Sequence, residues 1–177
     1  MQPICCHLMP PDATMTDYLE IFHRLLFAML IGCAIGIDRN LRGKPTGMKT
    51  LGLVALGSAL VTMAAMNFAL GAEDHNRDAV SRAIQGVITG IGFLGAGVII
   101  HEQWTEKVRG LTTAASIWVT AAVGIVCGAG WWQVALMATG LILILFVIGR
   151  PLEQFLHRQW MRKSDDERAD ISAREED

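Results

Sequence analysis

Five long apolar stretches dominate the sequence and restrict what the chain can fold into. They cover about residues 18–37, 50–70, 83–100, 111–127 and 131–149. A helix needs roughly 20 mostly apolar residues to cross the hydrocarbon core of a bilayer, and each stretch meets or nearly meets that length. The short connection at 128–130 makes the last two an antiparallel pair. The pattern predicts an all-α, polytopic transmembrane helix bundle with about five spans.

The composition agrees with a membrane-embedded chain. Hydrophobic residues make up 52% of the sequence and charged residues 18%, whereas soluble domains average about 25% charged residues. The charges lie in short blocks between the apolar stretches, and the net charge of −2 indicates no nucleic-acid partner. We therefore expect membrane lipid and other membrane proteins as the partners.

The distribution of basic residues predicts the orientation. With the N-terminus outside, the inner segments are 38–49, 101–110 and 150–177, and these hold most of the lysines and arginines. The outer side then keeps only Arg24, Arg77 and Arg82. Because cytoplasmic loops carry an excess of Lys and Arg, we predict N-out, C-in.

The regions outside the spans differ in character. Residues 1–17 form an N-terminal tail before the transmembrane domain at 18–149. Apolar side chains recur on one helical face within 150–163, with basic residues beside them, which predicts an interfacial amphipathic helix. Residues 164–177 are acidic and nearly free of large apolar groups, so we expect a disordered tail.

Glycines are concentrated in the third span. Gly90, Gly92 and Gly95 match GxGxxG formally, but a dinucleotide site needs a preceding strand and an exposed helix N-terminus. These glycines lie in the middle of an apolar run, so we predict no nucleotide and no other cofactor.

Close helix packing explains the glycines better. Three GxxxG pairs occur, at 32/36, 86/90 and 124/128, and Gly95 and Gly97 extend the third span's smooth face. Small residues let transmembrane helices approach closely. The same motif serves packing within one subunit and formation of a homo-oligomer.

Ionisable residues are absent from the centres of the predicted spans. Such residues usually mark proton relays and ion pathways, so a self-contained ion carrier is weakly supported. The polar residues within the spans, among them Asn67, Gln85, Thr89 and Ser116, are expected to form interhelical hydrogen bonds. The sequence shows no catalytic constellation and no spacing of metal ligands, so we predict a non-enzyme.

The segment 38–49 is the densest functional candidate. It places Asp38, Arg39, Lys44 and Lys49 around two glycines and a proline, which indicates a tight cationic turn. Contact with lipid headgroups is the simplest role for such a loop. We further hypothesise that Asp38 pairs with Arg109 or with another base of the neighbouring inner segment.

Two segments resemble signatures of the MgtC/SapB family of bacterial inner-membrane proteins. The segment from Gly36 to Val54 resembles the first signature and reads GIDRNLRGKPTGMKTLGLV. Residues 90–97, which read GIGFLGAG, and residues 108–118, which read VRGLTTAASIW, together resemble the second signature. The candidate functional residues within them are Asp38, Arg39, Lys44, Lys49, Gly90, Gly92, Gly95, Gly97, Arg109, Gly110, Thr112 and Thr113.

The sequence departs from the family pattern at several positions. The family usually has Glu at the position of Asp38 and Arg at that of Lys49. Its virulence branch tends to carry Asn and Cys where this chain has Thr112 and Val119. We also expect a short form that lacks the soluble C-terminal domain of that branch.

The resemblance implies a small inner-membrane bundle linked to magnesium homeostasis. Its function by analogy is non-enzymatic modulation of partner membrane proteins, and the alternative is a transporter of Mg²⁺ or another ion. A transporter should have a polar, water-accessible path at mid-membrane, lined by Asn67, Gln85, Thr89 or Ser116. A modulator should have a dry core and a small-residue groove open to lipid.

Overall fold

The computed structural model describes residues 15–44, 46–70, 77–102 and 107–160, and this part of the chain is almost entirely helical. Its elements are α1 (Met15–Leu41), α2 (Met48–Leu70), α3 (Arg77–Val98), β1 (Ile100–Glu102), β2 (Lys107–Arg109), α4 (Leu111–Gly128) and α5 (Trp132–Trp160). Five helices are long and apolar enough to cross a membrane. The predicted all-α bundle of five spans is confirmed, and the N-out, C-in orientation stays a prediction.

Two compact units divide at residues 139 and 140, within α5. In the first unit α2 is central, since it packs against α1, α3 and α4. The core combines larger side chains, such as Ile35 and Leu51, with small ones at the helix contacts, where Ala55, Ala59 and Ala121 are fully buried. Because lipid tails are as apolar as these side chains, close approach of the backbones holds such a bundle together.

The second unit, as far as it is described, consists of the helical residues 140–160. Its exposed surface is rich in large apolar side chains, such as Leu141, Leu145 and Ile148. The helix continues through Pro151 to Trp160. Placement of 150–163 on the membrane surface stays a prediction, and the predicted disordered tail at 164–177 lies outside the described residues.

A short antiparallel hairpin joins α3 to α4, which the sequence patterns did not predict. Ile100 of β1 lies opposite Arg109 of β2. Gly110 follows at φ 95°, and a side chain there would put its Cβ 2.2 Å from the carbonyl oxygen of Val98. A left-handed backbone of this kind favours glycine, so Gly110 lets the chain turn sharply against the end of α3 and enter α4.

The first helix is longer than the apolar pattern indicates. It ends at Leu41 rather than near residue 37, so Asp38 and Arg39 belong to the helix and the connecting turn is confined to residues 42–47. The hydrogen bonds that Asp38 and Arg39 make explain why this charged segment stays helical.

Candidate functional site

A buried arginine ties together the end of α1, the following turn and the start of α4. Arg39 is only 4% exposed. Its Nε donates to the carbonyl oxygen of Thr46 at 3.2 Å and to that residue's Oγ1 at 3.1 Å. Nη1 donates to the carbonyl oxygen of Thr112 at 3.4 Å, and Nη2 to Oγ1 of Thr113 at 2.6 Å. We call these four residues the Arg39 cluster.

The backbone of the turn after α1 places Thr46 beside Arg39. The carbonyl oxygen of Arg39 accepts hydrogen bonds from the backbone N–H groups of Arg42 and Lys44, each at 3.1 Å. Gly43 adopts φ 64°, the left-handed conformation that commonly ends a helix. The backbone therefore folds back over the last turn of α1, and Thr46 becomes buried beside the guanidinium.

The acceptors within the Arg39 cluster are all uncharged. They are two hydroxyl oxygens and two backbone carbonyl oxygens. A buried cation is tolerated only when its donors are satisfied, and the planar guanidinium can bond several oxygens at once. The cluster therefore fixes the position of α1 relative to α4 through geometry that a flexible ammonium cannot reproduce.

Asp38, which precedes Arg39 in the chain, forms its ion pair with Arg42. Asp38 accepts a hydrogen bond from Nε of Arg42 at 2.9 Å, and the two side chains form an ion pair one helical turn apart. The hypothesis that Asp38 pairs with Arg109 is thus wrong. The extension of α1 to Leu41 places Arg42 four residues after Asp38, where helical side chains are neighbours.

The start of α4 contributes to the cluster through its first turn. Gly110 is the N-cap residue and makes no side-chain cap, while the backbone N–H of Ala114 donates to its carbonyl oxygen at 2.8 Å. Thr113 is buried and offers its hydroxyl to Arg39, whereas Thr112 contributes its carbonyl.

The remaining candidates lie outside the cluster. Lys44, Lys49 and Arg109 have exposed side chains. A Cβ at Gly95 would lie 3.5 Å from that of Ala114 on α4. Of the other candidates on α3, which are Gly90, Gly92 and Gly97, none would place a Cβ within 4 Å of another heavy atom of the described chain. The residues of the second signature therefore lie in two places. Its threonines Thr112 and Thr113 bond to Arg39, whereas most of its glycines on α3 face outward.

Two side chains that link these helices were not among the residues predicted for the site. Thr46 was read only as part of a loop, and nothing in the sequence marks it as a ligand of Arg39. The sequence pattern marks Arg24 only as a basic residue of the outer side, yet its Nη1 donates to the carbonyl oxygen of Gly128 at 3.1 Å and its Nη2 bonds Glu20. A cation at a helix C-terminus is favourable, which explains Arg24 at the end of α4. Arg39 lies at the opposite end, where direct hydrogen bonds to Thr112 and Thr113 hold it.

Four buried hydroxyls elsewhere in the spans bond to their own helices. Thr62 donates to the carbonyl oxygen of Ser58, Ser116 to that of Thr113, Thr120 to that of Ser116 and Thr139 to that of Ala135, at distances of 2.7–2.8 Å. These local bonds replace the interhelical hydrogen bonds expected of Ser116. Within the described ranges, no three His, Cys, Asp or Glu side chains group closely enough to hold a metal ion.

Comparison with known proteins identifies the family. Protein SrpB of Synechococcus elongatus is 42% identical over 154 residues, which is 84% of this chain and 83% of SrpB. An uncharacterised protein of Haemophilus influenzae is 40% identical over 83% of this chain and 63% of its own length. Protein MgtC of Salmonella typhimurium is 39% identical over 76% of this chain, which spans 54% of MgtC.

No solved structure matches the chain. The model of the MgtC family matches residues 25–155, a range that includes α2, α3 and α4 entirely and the Arg39 cluster with them. The protein is accordingly a multi-pass membrane protein, and the chain belongs to the MgtC family.

Proposed function

We propose that the chain is a non-enzymatic modulator of partner membrane proteins, linked to magnesium homeostasis and located in the bacterial inner membrane. The link to magnesium comes from the family and from relatives such as the Salmonella protein MgtC, of which this chain spans 54%. The choice of modulation over transport comes from the polar groups of the spans.

One observation carries this choice: four hydroxyl groups of the spans are buried and bond to carbonyls of their own helices. Thr62, Ser116, Thr120 and Thr139 all do so. A transported ion that sheds its water must find replacement oxygens along its path, and the side chains that carry these four hydroxyls are at most 7% exposed, so they do not line an open path. The Arg39 cluster, at one end of these helices, adds a fixed positive charge that repels cations.

The test is uptake of Mg²⁺ by proteoliposomes that hold the purified full-length chain and a magnesium-sensitive dye. We expect uptake no faster than in empty vesicles, while an added ionophore gives the full signal. Saturable uptake that depends on the protein would overturn the proposal.

A genetic arm tests the link to magnesium. Loss of the gene should impair growth in magnesium-limited medium, and the wild-type gene should restore it. The variant R39K should fail to restore growth because it dismantles the cluster, whereas K49R keeps an exposed charge and should succeed. A deletion strain that grows normally at every magnesium concentration would contradict the proposal.

Transport remains the second candidate, and one feature favours it. Gln85 and Thr89 are polar, exposed and near the middle of the 22-residue α3. If they lined a path, Q85A should lower Mg²⁺ uptake in the same vesicles, whereas modulation predicts no uptake that a variant could lower.

A further inference from the structure

One face of α3 is unlike a surface made for lipid. The residues on it recur every three or four positions, so they share one side of the helix. All are exposed, and we call them the α3 stripe: Asp78, Arg82, Gln85, Gly86, Thr89, Gly90, Phe93 and Gly97. Polar or small residues make up this set except for Phe93, which is 80% exposed.

The fifth helix shows what a lipid-facing surface of this chain looks like. Both α3 and the span of α5 are 11% buried. The exposed side chains of α5 are large and apolar, including Leu136, Met137, Leu141 and Ile144. In the α3 stripe, by contrast, every exposed residue except Phe93 is polar or small, and a Cβ at Gly86 or Gly90 would meet no atom within 4 Å. The stripe therefore leaves the helix backbone accessible at Gly86 and Gly90, whereas bulky side chains cover α5.

The polar groups of the stripe lack partners. Among the described residues, the amide of Gln85 and the hydroxyl of Thr89 take part in no hydrogen bond, in contrast with the buried threonines of the other helices. Near the centre of a bilayer no water is at hand to satisfy an amide. Such groups stabilise helix association when a second helix supplies the missing donor and acceptor.

The two charged residues at the start of the stripe indicate which molecule packs against it. Asp78 and Arg82 lie one turn apart on the same face, and neither joins an ion pair within the described chain. Copies of one membrane protein share an orientation in the bilayer, so a two-fold axis along the membrane normal would align their α3 helices in parallel. Asp78 of one copy can then reach Arg82 of the other, and the reverse contact forms by symmetry.

We propose that the α3 stripe is the interface of a symmetric dimer formed with a second copy of this chain. The glycines let the two backbones approach, Gln85 and Thr89 supply hydrogen bonds across the interface, and the charge pairs close its end. This inference does not depend on the proposed function, because a modulator and a transporter can both be dimers.

Single-molecule photobleaching of the labelled full-length chain in vesicles tests the proposal over a range of protein densities. The wild type should shift from one-step to two-step bleaching as density rises. G86L should weaken dimerisation at least about tenfold, and it should fold normally because the monomer has free space there. The matched control is G140L, on an open glycine of α5, and it should dimerise like the wild type.

Charge reversal tests the register of the interface. D78R should weaken the dimer about threefold, and the double variant D78R/R82D should recover wild-type dimerisation because both contacts are exchanged. Helix content by circular dichroism verifies that each variant is folded. A wild type that stays monomeric, a G86L variant that dimerises like the wild type, or a G140L variant equally impaired would overturn the proposal.

Discussion

The same GxxxG motif occurs in two opposite environments in this molecule. On α1 and α4 the motif faces α2: Cβ atoms at Gly32 and Gly124 would lie 2.5 and 2.4 Å from carbonyl oxygens of that helix. On α3 the corresponding glycines, Gly86 and Gly90, face open space. The motif by itself thus says that a close contact is feasible, and the neighbouring helix decides whether the contact lies inside the subunit.

The reason for the difference lies in the neighbours of each motif. α2 presents Ala55 and Ala59 to the α4 glycines, so small residues meet small residues. Around the α3 motif stand Gln85, Thr89 and Phe93, whose polar or bulky side chains suit a separate partner better than a tightly packed core. Three predictions, in falling order of effect, test this contrast.

The largest effect is expected from G124A. Its added Cβ would meet the backbone of Ala55, with the carbonyl oxygen at 2.4 Å and Cα at 2.9 Å. Because a backbone cannot rotate out of the way, we expect the free energy of unfolding to fall by about 3 kcal/mol. Reversible unfolding in mixed micelles by titration with SDS measures it. Wild-type stability would show that α2 and α4 are not in close contact there.

The variant R39K should have an intermediate effect. Lysine keeps the charge but cannot bond Thr46, Thr112 and Thr113 together, so we expect a loss of about 2 kcal/mol in unfolding free energy. The control is R42K at the half-buried ion pair with Asp38, which should cost less than about 1 kcal/mol. Equal losses for both variants, in the same SDS titration, would remove the special role of the Arg39 cluster.

The smallest effect, of opposite sign, is expected from G90A. No atom lies within 4 Å of the added Cβ, and alanine favours the helix over glycine by up to about 1 kcal/mol. Unfolding at a dilution where the chain is monomeric should therefore show unchanged or slightly raised stability. A loss as large as that of G124A would contradict the open face of α3.

Much of the candidate site was foreseen from the signatures, but its assembly was not. Arg39, Thr112 and Thr113 were all named from the sequence, and the structure brings them together over more than seventy positions. Thr46 was missed because a threonine in a turn has no distinctive pattern. Asp38 was assigned to Arg109 because the apolar run ends near residue 37, which hides the last turn of α1 and the partner four residues on.

The sequence by itself determined that the chain spans a membrane as five helices, since long apolar runs leave no other way to satisfy the backbone in lipid. It also supplied the family signatures and the three glycine pairs. Only the tertiary structure decided which glycines are buried, which acceptors surround Arg39, and that α1 reaches both ends of α4. These contacts join residues distant in the chain, and periodicity reports the faces of a helix but not which neighbour covers each face.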